Sequence, residues 1–324
     1  MTRTHTCLLV ATGSALHLLV DGLCICSLYL VARHFTAAHL AGIFVLYNVL
    51  AFLTQPLTGM LADAVRNRHR LLAASVVLLV TAVGLTMAVA QLEYRQPPMV
   101  LLGLLAALLG MGNSLFHVWG GKLTAVKTGN DRRALGIFVA TGALGLALGG
   151  VFCSWPLLVA FMLAICLLAM LYLHIDLKTA SPSKQPTAQS PHLPTTMLWA
   201  ALLILMAIVM GRSFVGEHFA EGLERTQLLI LVLALTAMAG KMAGGWMARY
   251  MGDLTALAVL LVAAMVCFLL KDTSMAVLLA GLFLINCTMP VTLALANHVL
   301  PGREGLAFGL LAAALMPGYL LALA

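Results

Sequence analysis

About eleven apolar stretches, each close to the length that crosses a bilayer, leave this 324-residue chain little choice of fold. A helix needs about 20 predominantly apolar residues to span the hydrocarbon core, where its backbone must be hydrogen-bonded internally. The stretches read as 7–32, 38–62, 71–91, 98–126, 134–153, 156–175, 197–216, 226–248, 254–270, 273–298 and 305–324. With 62% hydrophobic and only 9% charged residues, soluble classes are excluded and an all-α polytopic membrane protein is expected. The first stretch is long enough to span and carries His17 and Asp21, so it reads as a membrane helix rather than a cleaved signal.

A net charge of +7 in a soluble protein would suggest nucleic acid, but here loop asymmetry accounts for it. With the N-terminus in the cytoplasm, the inner loops hold Arg3, Arg66, Arg68, Arg70, Lys122, Lys127, Arg132, Arg133, Lys178, Lys184, Arg249 and Arg303. The outer loops hold Arg33, Arg95, Arg225 and Lys271. Twelve against four places the N-terminus inside, and the expected setting is the bacterial inner membrane, without nucleic acid as a partner. The seven cysteines sit mostly in apolar runs and read as small packing residues; Cys24 and Cys26, two apart on a helix, cannot share a metal.

The segment 176–196, with Pro182, Pro186, Pro191 and Pro194 among polar residues, reads as a flexible cytoplasmic linker between halves 1–175 and 197–324. The halves echo one another. Gly59, Ala62 and Asp63 close the second run, and Gly245, Ala248 and Arg249 close the second run after the linker. Likewise the segment from Gly136 to Gly145 resembles that from Gly309 to Gly318. Parallel six-helix repeats predict a twelfth helix, so a chain ending in its eleventh run reads as one helix short.

Two polar pairs stand inside the apolar runs. His17 and Asp21 are four apart and share one face of the first helix, where an ionised acid costs about 2.5–3.5 kcal/mol even on the lenient insertion scale. Asn113 and His117 share a face of the fourth run, within a Gly-rich stretch that allows close helix approach. Facing a cavity, Asp21 would take up and release a proton with His17 as its relay; the alternative is a structural pair between helices. A metal is not expected, for want of a third ligand at fixed spacing. Arg212 in the seventh run and Lys241 in the eighth would bias a cavity toward an anionic solute, unless Asp21 is the internal partner of Arg212. No clustered acids or nucleophile with its base suggest an enzyme, and no catalytic residue or cofactor is assigned.

These motifs carry a family resemblance. Gly59, Leu61, Ala62 and Asp63, followed by Arg66, Arg68 and Arg70, resemble the loop signature after the second helix of the major facilitator superfamily, with Gly245, Arg249 and Gly252 as a worn second copy. In that family the loop's acid and basic residues make cytoplasmic contacts between the halves, which the resemblance implies for these residues. Gly145, Gly149 and Gly150 resemble its antiporter motif, a helix-packing element, with Leu146 in place of proline. His17 and Asp21 together with Asn113, Phe116, His117, Gly120 and Gly121 are similar to the fosmidomycin-resistance branch. The resemblance implies two pseudo-symmetric six-helix halves and a monomeric, proton-coupled transporter of a small organic solute, an anion among the candidates, working by alternating access. Efflux is the leading expectation. Import of a sugar or carboxylate, or a transporter-like sensor that moves nothing, is the alternative.

Overall fold

The computed structural model describes residues 3–32, 37–65, 69–91, 99–178, 195–219 and 222–323. Among them all regular structure is helical. The helices are α1 (Thr4–Ala32), α2 (Ala41–Ala64), α3 (His69–Ala90), α4 (Met99–Thr128), α5 (Arg132–Val151), α6 (Trp155–Asp176), α7 (Thr196–His218), α8 (Gln227–Met251), α9 (Asp253–Leu269), α10 (Met275–Val299) and α11 (Glu304–Ala322). Every run read from the sequence is present. Ten of these helices are long and apolar enough to span a membrane, whereas α9, with 17 residues, is about 25 Å long and at the lower limit. Side chains such as Leu57, Val77, Leu167, Leu203 and Val262 stay exposed on helices that are apolar all round, as a lipid-facing surface requires.

Two helices are interrupted, each just ahead of a proline. In α2 a π-turn over Val49–Leu53 precedes Pro56, whose ring has no N–H to give and crowds the Phe52 carbonyl. In α11 the helix breaks at Ala314, four residues after Leu310 and ahead of Pro317, whose ring crowds the Ala313 carbonyl in the same way. These two helices pack on one another, as do α5 and α8.

Both helix pairs meet through glycine, where side chains are absent and backbones touch. A Cβ on Gly59 would strike the Gly305 carbonyl, and one on Gly309 the Gln55 carbonyl. Across the other pair, a Cβ on Gly245 would strike the Arg132 carbonyl, and one on Gly136 the Lys241 carbonyl. Gln55 precedes Gly59 by four residues, as Lys241 precedes Gly245; Gly305 precedes Gly309 by four, as Arg132 precedes Gly136. One register therefore serves both seams, as a pseudo-twofold repeat demands.

Helix α6 continues through Asp176, which is buried and bonded by Lys127 at 2.6 Å, so the first residue of the predicted linker belongs to a packed helix end. Most of that linker lies outside the described residues, as do Arg66 and Arg68.

Candidate functional site

Asp21 lies near the middle of α1 and is 6% exposed, with His17 one turn earlier at 4%. The structure brings α4 against this face: Asn113 Nδ2 donates to Asp21 Oδ1 at 2.9 Å, and His117 Nε2 stands 3.5 Å from the same oxygen. His17 Nε2 stands 3.3 Å from Asp21 Oδ2. The two imidazoles meet edge to face, with centroids 4.4 Å apart, and the Phe138 ring packs on His17 at 4.9 Å. Thus all four polar residues predicted on α1 and α4 form one cluster. The sequence showed two faces; it could not show that they touch.

The protons on the rings can be assigned from their partners. His17 Nδ1 is 2.7 Å from the Phe138 carbonyl, and His117 Nδ1 is 2.9 Å from the Asn113 carbonyl. A carbonyl only accepts, so both Nδ1 atoms carry hydrogen and donate. Each Nε2 is then left facing a carboxylate oxygen. With Asp21 ionised and both rings neutral, lone pairs would oppose lone pairs on both sides. The contacts become attractive only when at least one further proton is shared among Asp21, His17 and His117. Cys24 Sγ, 3.9 Å from Asn113 Nδ2, borders the same cluster.

Helix α5 contributes room rather than a ligand. A Cβ on Gly142 would overlap Asp21 Oδ2 and His17 Nε2. Gly145 and Gly149 let the same helix approach the carbonyls of Leu18 and Gly22, while at Gly150 a Cβ would make only ordinary contact with Tyr29. Gly142→Ala is therefore expected to displace the carboxylate and reduce transport by about tenfold to a hundredfold, measured in vesicles against the wild type.

The ligand atoms of His17, Asp21 and His117 lie within 4.8 Å of one another, so the third metal-capable group missing from the sequence spacing is supplied by α4.

Arg212 and Lys241 lie elsewhere, on the wall of a cavity of about 210 Å³ shared by α7, α8, α10 and α11. Arg212 is 8% exposed and its Nη1 has no hydrogen-bond partner among the described residues. Asp21 is bonded by the α4 groups instead, which decides the alternative pairing left open by the sequence.

At the end of the bundle that carries Asp63 and Arg249, both seams are closed. Asp63 accepts from the N–H groups of Gly305 and Leu306 at 3.0 and 2.9 Å, and from Lys122 Nζ at 3.0 Å. It caps α11 in trans, since Arg303 gives that helix no side-chain cap. Arg249 holds the equivalent place in the repeat and cannot cap α5, which is capped by its own Asp131 through the Arg133 N–H. The second seam is instead bridged by Arg132 to Asp253, with Arg133 lying over Trp246 at 5.1 Å. Asn130 adds a bond to the Ala294 carbonyl at 2.9 Å and accepts from Asn297 at 2.8 Å. Asp253 escaped the sequence reading because nothing local marks it as a partner of α5, and Asn297 reads from sequence only as a buried polar residue without an aim. Arg70 and Arg249 are exposed.

The hydrogen bond from Arg133 holds the Asp131 carboxyl below the usual carboxylate range. Its contribution is thus present at neutral pH and is lost as the pH falls through that range. Asp131→Ala should lower stability by about 1 kcal/mol near neutrality, read as a reduced unfolding temperature, and by progressively less in acid.

The described residues thus form eleven helices, with glycine seams at a common register and polar clusters enclosed between helices. A sequence profile of the Major Facilitator Superfamily matches residues 10–323. The chain belongs to the Major Facilitator Superfamily. It is accordingly a multi-pass membrane protein and a secondary transporter of small molecules, not an enzyme. No curated protein sequence matches it. Among solved structures it is similar to a point variant of the E. coli fucose:proton symporter FucP, with a TM-score of 0.63 and 13% identity over 99% of this chain and 91% of that one. It is also similar to a bacterial homologue of the iron transporter ferroportin in an outward-facing state, with a TM-score of 0.56 and 15% identity over 97% and 90% of the two chains. At these identities the likeness is one of superfamily fold.

Proposed function

We propose that this superfamily member is a monomeric, proton-coupled transporter of a small organic anion, working by alternating access in the bacterial inner membrane with its N-terminus in the cytoplasm. The halves 1–175 and 197–324 rock about the seams α2/α11 and α5/α8, with Asp63, Arg132 and Asp253 holding the inner end closed in the state described. The observation that carries the proton coupling is the pair of imidazole Nε2 atoms aimed at one buried carboxylate, each ring tied through Nδ1 to a carbonyl. His117 is the most exposed member, with 13% of its side chain accessible against 9% for Asp21 and 5% for His17, and is the group through which a proton enters.

Efflux in exchange for protons requires that proton and solute exclude one another; import together with protons requires that they bind together. The test of coupling is luminal pH in proteoliposomes on adding a transported solute, with Asp21→Asn as the control. Coupling at Asp21 predicts a solute-driven pH change in the wild type alone. Identical responses from the two proteins would refute it.

A further inference from the structure

We infer that the α7–α8–α10–α11 cavity is a built site for one compact carboxylate or oxyacid anion, and that this anion binds cooperatively with the proton on the Asp21 cluster, making the transporter a proton–anion symporter. The coupling part rests on the proton-coupled reading above; the anion site stands on its own observations.

The cavity is electrostatically incomplete. Arg212 and Lys241 line it together; Arg212 Nη1 has no hydrogen-bond partner, and neither side chain forms an ion pair among the described residues. Two unpaired cations repel, and burying an uncompensated charge in a membrane protein costs several kcal/mol, so such groups mark substrate paths. The carboxylate on the same wall, Glu217, lies more than one helical turn beyond Arg212 and interacts electrostatically with Arg225 and His218. Ser213 and Asn286 add hydrogen-bonding groups, and Leu282 and Met289 give an apolar wall. A guanidinium matches a planar carboxylate or a phosphonate in a bidentate fork, with Lys241 as a second point charge. A volume of about 210 Å³ restricts the guest to a compact anion.

Coupling follows from placement. Lys241 lines the cavity with Arg212, and its carbonyl packs on Gly136 of α5, the helix whose Gly142 touches Asp21 and His17, so its charge acts on both sites. Around the Asp21 carboxylate stand His17 and Cys24 on its own helix, Asn113 and His117 from α4 and Gly142 of α5, with Tyr47 of α2 and Lys241 of α8 within electrostatic reach. The proton and the anion occupy different residues and so do not compete. Anion held by Arg212 and Lys241 offsets the positive field of Lys241 at the cluster and favours an added proton. By linkage the added proton strengthens anion binding by the same factor. This favours import with protons over the efflux expected from the motif resemblance.

The test uses purified full-length protein and thermal unfolding. The probes are acetate, benzoate, methylphosphonate and methanesulfonate, with acetamide and benzamide as neutral counterparts. At least one anion should raise the unfolding temperature while its amide does not. Arg212→Gln should weaken that anion by at least about tenfold, the loss of a charge-assisted bond, and Arg212→Lys should restore part of it. Without ligand, Arg212→Gln should be no less stable than the wild type, because it removes an unpaired buried charge; a structural arginine would give the opposite. Stabilisation by no anion, or equally by the amides, overturns the site and leaves the proton reading intact. Between about pH 7.5 and about pH 5.5, affinity should rise about fivefold or more in the wild type and stay flat in Asp21→Asn. Arginine-dependent binding with no pH response overturns the coupling and the proton reading beneath it. Binding that weakens on acidification overturns symport.

Discussion

Asp21→Asn should stop proton movement entirely while leaving solute able to cross down its own gradient. The amide keeps the size of the carboxyl, its oxygen still accepts from Asn113, and its NH₂ group donates to an imidazole Nε2, so the cluster stays packed. What it cannot do is bind and release a proton between two access states, and a population can be shifted only by a ligand that binds the states differently. Solute-driven pH change should therefore fall to that of empty vesicles, whereas exchange of labelled for unlabelled solute should persist. Persistent proton flux would move the coupling site away from Asp21.

The second large effect concerns the seams. Gly59→Leu and Gly245→Leu should each abolish transport, because a side chain at either place meets backbone of the opposite helix that has no rotamer with which to yield. Insertion into the membrane should be unaffected. Gly84→Leu is the control, since a Cβ there meets nothing within 4 Å. Spin labels replacing the exposed Arg70 and Tyr250 should report longer inner-end distances in both seam variants and wild-type distances in the control. If the seam variants close normally and transport at wild-type rate, the glycine contacts do not set the closed state.

Much of the architecture was legible because membrane helices are written in long local runs, and hydrophobic length survives without knowledge of neighbours. Helix faces were legible for the same reason: a spacing of four placed His17 with Asp21 and Asn113 with His117. The meeting of those faces was not, since residues 92 positions apart are joined only by the packing of α1 against α4. The Asp63 signature pointed to a seam, but besides Lys122 its partners are two backbone N–H groups of α11, which no residue type announces. Its repeat, Arg249, suggested a weakened second gate. That seam is carried instead by Arg132 and Asp253, whose charges read in isolation as loop and helix-end residues. The π-turn in α2 escaped as well, although Pro56 gives it a physical cause.

Two histidines sharing a proton with one buried carboxylate would leave a signature in nitrogen NMR of His17 and His117 in protein labelled at histidine. Both Nδ1 atoms should remain protonated across the pH range, while both Nε2 signals shift together as the cluster gains its proton and lose that joint shift in Asp21→Asn. Either ring carrying its neutral proton on Nε2, or the two rings titrating independently of Asp21, would contradict the account.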